Sequence, residues 1–430
     1  MSLIWGHIYI RIAISECGYV MNITLNYDEI IKFIKNYGVE IYENCPCGSG
    51  KKYKWCCKQN IQKCTTTGDI KKVYHQLKSQ VWNRRRWRTQ TCHWRNCTSP
   101  TQHCHSIQNN RFLNQICDTK KCVYHFIPMG KLENESIELK DEPISLASTF
   151  NGFCNIHDSE LFAIIERENM ITFTPEQKYV LAYRNFCYMF SKQEIIQQTV
   201  IATSLKSTPK YYQKDFIPRD SLEAQTSVGL IVDLRKNQII YEELGEIIDS
   251  IESNYDLENH QWNINSDALL CSDVRTLDVQ NSNFCFQTVR EYLCEDEVTQ
   301  IYKNPTIDVF KDKRYAHIST IVLPENTQGK INVFFALSSK CKVNSAKKFL
   351  DYVNACSEEE LVCILNNIIL HAYEELYVSK SNYFDLLSPD EQIYLQKTLT
   401  SNTYLSNDTT LLKDIFLDPQ FEFIKLRDNV

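Results

Sequence analysis

The densest chemistry in this sequence lies in its cysteines. Cys45-Pro46-Cys47-Gly48-Ser49-Gly50-Lys51-Lys52-Tyr53-Lys54-Trp55-Cys56-Cys57 sets four thiols in a C-x-C-x8-C-C frame. Four thiolates in tetrahedral array suit Zn²⁺, and a structural site takes all four ligands from the protein. Gly48 and Gly50 allow the left-handed turn that folds the second pair back onto the first. So short a module buries little apolar surface. The metal must therefore supply the folding energy, about 10–16 kcal/mol in small zinc peptides. The competing reading is a Cys-rich loop with free thiols.

A second set is more dispersed. Cys92-x4-Cys97 forms one pair and Cys154-x2-His157 another, with His105 between them and Asp158 directly after. Two pairs of N/S ligands separated by a hairpin and ending at a helix start describe a treble clef. Cys92, Cys97, Cys154 and His157 would hold a second structural Zn²⁺, with His105 on the hairpin facing the helix. Cys117-x4-Cys122 repeats the first spacing, so Cys92, Cys97, Cys117 and Cys122 are the alternative ligand set.

The run 45–57 resembles the SEC-C motif of the protein-translocation ATPase SecA and many other bacterial proteins, with every position of its pattern present. The resemblance covers about 13 residues. It implies that Cys45, Cys47, Cys56 and Cys57 are zinc ligands in a module that docks a protein partner, ribosomes or lipid, and it implies no catalysis. The stretch Ser148-Thr149-Phe150-Asn151-Gly152-Phe153-Cys154, followed by His157-Asp158, Leu161-Phe162 and Glu166, resembles bacterial SEC-C proteins that carry an HNH-like treble clef. That likeness implies a nuclease in which His105 activates water, Asp158 binds Mg²⁺ or Mn²⁺, and Asn109 orients the hairpin or the base. HNH enzymes carry Asp or His just before the base, where this chain has Cys104. A binding-only protein, with His105 merely packed, is the other outcome.

The surrounding charge is lopsided. Residues 51–125 hold 16 Lys/Arg against two Asp/Glu, a local +14, while the whole chain carries −6 and residues 126–430 carry −18. Two zinc–thiolate sites reduce the segment to about +11. Lys71, Lys72, Lys78, Arg84, Arg85, Arg86, Arg88 and Arg95 lie among Trp82, Trp87 and Trp94. Cations neutralise phosphates and indoles stack on bases, so nucleic acid, DNA or RNA, is the expected partner. A solvated helix face, with the tryptophans as core, is the bland counterpart.

Positioning these residues takes several elements. At 430 residues, with 43% hydrophobic side chains and 19 cysteines, the chain can bury real cores. It reads as a multidomain α+β protein, with small zinc-stabilised N-terminal modules and a mixed C-terminal domain. The expected divisions are 1–44 (extension and short helix), 45–64 (zinc module), 65–170 (basic helix and treble clef), 171–260 (helical) and 261–430 (α+β). Residues 1–20 read as a loose extension or a misplaced start, with no role in the fold. Asn26 caps a short helix ending at Gly38. Ile70, Val73, Tyr74, Leu77 and Val81 recur at helical spacing and run into Arg84–Arg88. An acidic connector spans about 128–147. Thr174-Pro175-Glu176-Gln177 opens a long helix to about Leu205, another fits 222–252, and Ser357-Glu358-Glu359-Glu360 and Ser388-Pro389-Asp390-Glu391 are capping boxes. Strands are expected at Phe284–Val289, His317–Leu323 and Ile331–Ala336. No apolar run is long enough to span a membrane and no export signal is evident, so the cytosol is expected, where clustered thiols serve as ligands. The seven later cysteines, Cys187 to Cys363, read as buried packing residues.

Overall fold

A computed structural model describes residues 3–4, 7–14, 19–26, 40–60 without Pro46 and Gly48, 62, 67–87, 90–129, 136–166, 173–207, 222–264, 268–293, 315–325, 329–338, 344–403 and 412–427. The architecture is mixed α+β. Among the described residues no helix is long and apolar enough to cross a membrane. The chain divides into two compact units. One comprises Met1–Thr89, Phe190–Glu243 and Val298–Lys313, and the other Gln90–Met189, Leu244–Glu297 and Arg314–Val430.

The first unit opens with an antiparallel sheet of Leu3–Ile4, His7–Ile14 and Tyr19–Asn26. This corrects the reading of residues 1–20 as having no fold role. The register sets Ile8 against Leu25, Ile10 against Ile23 and Ile12 against Met21. His7 and Arg11 alternate with those positions, so they break a membrane span without breaking a strand. The helix expected between Asn26 and Gly38 lies outside the described residues. The helix Thr67–Trp87 forms where the apolar period demands, with Ile70, Val73, Leu77 and Val81 all buried.

The second unit is organised on an eight-stranded antiparallel sheet. Its main path runs Leu269–Cys271, Lys330–Ser338, Tyr315–Pro324, Phe284–Leu293, Leu376–Val378, Cys122–Met129 and Ser136–Pro143, and Arg275–Asp278 also pairs with Lys330–Ser338. The three expected strand runs are present and each extends a few residues further. The expected connector is instead half of a hairpin, because Val123 to Met129 pair in register with Glu142 to Ser136.

Alternate residues Phe284, Phe286 and Tyr292, then Ile318 and Val322, then Val333, Phe335 and Leu337, share one face and pack with Leu361, Leu365 and Ile368. All three capping boxes form. Glu360 N donates to Ser357 Oγ at 3.2 Å and Ser357 N to Glu360 Oε2 at 2.8 Å, and the Ser388/Glu391 and Thr174/Gln177 pairs repeat the pattern. Of the later cysteines, Cys187, Cys285 and Cys356 are buried, while Cys271 and Cys363 are half-buried.

Candidate metal centres

In the first unit, two short 3-10 turns, Tyr53–Trp55 and Cys57–Asn60, carry the second thiol pair back to the first. An isolated antiparallel bridge between Asn44 and Lys52 closes the loop, with Cys45 N donating to Lys51 O at 2.8 Å and Tyr53 N to Glu43 O at 2.8 Å. Gly50 takes φ +73°, the left-handed turn foreseen for it, and Gly48 lies outside the described residues. The ligand atoms of Cys45, Cys47, Cys56 and Cys57 all lie within 4.8 Å of one another. Tetrahedral Zn²⁺ with bonds of 2.3 Å would set sulfurs roughly 3.8 Å apart, so the donor set fits such an ion. Without a cation the thiols compete for charge. Hydrogen bonding with Cys47 pushes Cys45 up to about 11, while hydrogen bonds from Cys45 and Cys57 drive Cys47 far below the thiol range. The loop rests on a small core of Tyr53, Val73, Leu77, Ala202 and Leu205.

The second unit assembles the other set. Cys92, Cys97, Cys154 and His157 also bring their ligand atoms within 4.8 Å of one another. The first pair flanks a tight turn in which Cys97 N donates to Trp94 O at 3.0 Å and Asn96 takes φ +61°. Cys154 precedes the helix Asn155–Leu161, which places His157 on its first turn. His157 Nδ1 is 3.3 Å from Cys154 Sγ and 3.5 Å from Cys92 Sγ. Burial raises Cys92 to about 12 and lowers His157. Cys117 and Cys122 join neither group. Cys117 Sγ faces Asn114 O at 3.3 Å, so the alternative ligand set is not assembled. Trp94 is buried against His157, Tyr255 and Trp262, with ring centroids 5.5, 5.4 and 6.4 Å away. It is core and cannot stack on a base.

His105 lies on the two-residue strand Cys104–His105, paired with Thr149–Phe150. Its Nδ1 is 3.0 Å from Ala147 O. A carbonyl only accepts, so Nδ1 carries the proton of the neutral ring and Nε2 keeps a lone pair. Burial lowers its pKa, and Arg184, Glu166 and Asp158 are close enough to act on it electrostatically. Asp158 and Glu166 share one buried cation, Arg184, through NH2–Oδ1 at 3.8 Å and NH1–Oε1 at 2.6 Å. The short approach is an ion pair rather than an aligned hydrogen bond. Asn109 opens the π-helical turn Asn109–Leu113, and its buried Oδ1 has no hydrogen-bond partner among the described residues. Cys104 is buried, and that burial, followed by the charge of Asp158, holds its thiol well above the usual range.

Arg184 was not singled out in the sequence, although a lone Arg within Tyr179-Val-Leu-Ala-Tyr-Arg-Asn-Phe-Cys187 is a signal for a buried ion pair. Glu252, which accepts from Tyr183 Oη at 2.8 Å and Arg95 N at 3.2 Å, had no such signal. Of the basic candidates, Lys72 and Arg95 are exposed and Lys78 half-buried. The side chains of Lys71, Arg84, Arg85, Arg86 and Arg88 lie outside what is described.

No family model matches the chain, and no curated protein or solved structure matches it.

Proposed function

We propose that this chain is a zinc-built nucleic-acid-binding protein, with two structural Zn²⁺ sites: Cys45/Cys47/Cys56/Cys57 in a SEC-C-like loop, and Cys92/Cys97/Cys154/His157 in an HNH-like treble clef. The carrying observation is the helix Thr67–Trp87. It buries Val73 and Leu77 beside the four-thiolate loop while its positions 71, 78 and 85 carry Lys, Lys and Arg. Seven-residue intervals fall on one side of a helix, about 10 Å apart, so these three positions share a side on which basic residues suit a polyanion. Purified chain should bind single- and double-stranded oligonucleotides with affinity that falls steeply with salt. Lys71, Lys78 and Arg85 changed together to Ala should cut the logarithmic salt slope by roughly two to three units. No retention at low salt, or an unchanged slope in the triple variant, defeats the proposal.

Docking of a protein or ribosome through the loop is a second role, favoured by Tyr42 and Trp55. They stand 54% and 51% exposed, edge to face at 6.4 Å, with Lys54 Nζ 5.1 Å from the Tyr42 ring. Co-sedimentation with purified ribosomes, lost in Trp55→Ala, tests it. Cleavage, which the HNH-like resemblance implies, is the competing outcome: plasmid and RNA cut by wild type with Mg²⁺ or Mn²⁺ and spared by His105→Ala would establish it.

A further inference from the structure

The carboxylates beside the second metal group already hold a cation. Arg184 belongs to the helix Pro175–Ser207, is 2% exposed, and sits with its guanidinium carbon 4.2 Å from the Phe162 ring centroid. Its nitrogens engage Glu166 and Asp158. Gln108 Nε2 donates to Glu166 O at 3.2 Å and Oε2 at 3.1 Å, fixing that side chain from the hairpin side. A guanidinium on an aromatic face between two carboxylates is a charge-compensated buried cation. It is closest to Glu166 and lies 3.8 Å from Asp158, whose Oδ1 has no hydrogen-bond partner among the described residues.

The HNH-like resemblance asks for a hard divalent ion here, and the residues present do not fit one. Mg²⁺ and Mn²⁺ require oxygen or imidazole ligands. The residue before His105 is a buried Cys, a soft donor kept protonated. Asp158 faces Arg184 at 3.8 Å, and that positive charge would repel an incoming ion.

We infer that the guanidinium of Arg184 is the resident cation of this centre, standing among Asp158, Glu166 and His105 where a divalent ion would stand, and that the centre is closed to Mg²⁺ and Mn²⁺. The second metal group and the treble clef then serve as scaffold, and any polynucleotide that binds the basic helix leaves uncut by a divalent-metal route.

The test is a Mn²⁺ titration of the zinc-loaded full chain, following free Mn²⁺ by electron paramagnetic resonance. Wild type, Asp158→Asn and Arg184→Lys are expected to bind Mn²⁺ alike, at weak surface sites only. Arg184→Gln should gain one site with affinity raised about tenfold or more, and Asp158→Asn added to it should abolish that site. A single Mn²⁺ site in wild type that Asp158→Asn removes overturns the inference. So does a folded, zinc-replete Arg184→Gln that gains nothing. Should Arg184→Gln lose its zinc, wild type against Asp158→Asn and Arg184→Lys decides alone. No nucleic acid enters this experiment, so its failure leaves the proposed binding function standing.

Discussion

The two candidate metal groups solve one coordination problem with opposite amounts of protein. The first draws its four thiols from 13 consecutive residues and, among the described residues, packs on a small core of Tyr53, Val73, Leu77, Ala202 and Leu205. The second collects ligands from positions 92 to 157 and is surrounded by aromatic rings. Phe153, Phe162, Tyr183, Tyr255 and Trp262 contact one another, and Trp94 joins them to His157. Where apolar burial is scarce a bound ion would have to stand in for a core, and where burial is abundant it would pin a core that other forces already hold.

Metal removal is the strongest way to break that contrast. Exhaustive chelation should abolish hydrogen-exchange protection at Cys45 N, Tyr53 N and Lys54 N, whose bonds to Lys51, Glu43 and Ile41 close the first loop. The loss there is on the order of 10 kcal/mol of metal-derived stabilisation. Protection in the Phe153–Trp262 region and the near-ultraviolet signature of its rings should survive. Exchange mass spectrometry checks both, and simultaneous collapse of the two regions would show that the second ion is as indispensable as the first.

A smaller effect probes what else supports the second group. Glu252 ties the turn between Cys92 and Cys97 to its own helix through Arg95 N. Burial lifts its carboxyl from 4.5 to about 7, against the pull of hydrogen bonds from Tyr183 and Arg95, while Asp249 adds to the rise. A raised folded-state pKa means that the native state holds a proton the unfolded chain releases. The associated stability is fully present below about 4.5 and is lost as pH rises through about 7, by about 3 kcal/mol in all. Urea denaturation from pH 5 to 8 should show wild type falling relative to Glu252→Gln across that window. Parallel curves would remove Glu252 from the account. Among the described residues the first loop has no buried carboxyl of this kind, so its exchange protection should not follow this pH profile.

The same contrast governs what the sequence discloses. Metal loops are legible because coordination needs particular side chains at short spacing: both expected groups converge, although for the second the spacing also allowed Cys117 and Cys122 in place of Cys154 and His157. Capping boxes are legible for the same reason, since Ser357 and Glu360 act within one turn. The sheet is far less so. Leu376–Val378 pairs with Phe284–Leu293 on one side and Cys122–Met129 on the other, and three residues cannot announce partners so distant in the chain. The hairpin at 122–143 was obscured by Lys140, Asp141, Glu142 and Pro143, polar residues at the sheet's edge, where charge and proline are tolerated. Around His105 the spacing brought out His105 and Asp158 but not Arg184, because an ion pair needs no fixed interval.

The finest comparison lies in the two turns themselves. Among the described residues, each metal turn has one residue in the left-handed region, Gly50 at φ +73° and Asn96 at φ +61°. Glycine meets no steric penalty there, and Asn is the side chain that tolerates it best. Gly50→Ala should destabilise the metal-loaded first loop by about 1 kcal/mol, seen as faster exchange at Cys45 N and weaker metal retention against a chelator. Asn96→Gly should change the second site by no more than about 0.5 kcal/mol, because relief of the left-handed cost offsets the added freedom of the unfolded chain. If Gly50→Ala retains metal as wild type does, the ion rather than the backbone sets the turn. The first loop would then owe even its local geometry to coordination, and the contrast with the second would be sharper than burial alone makes it.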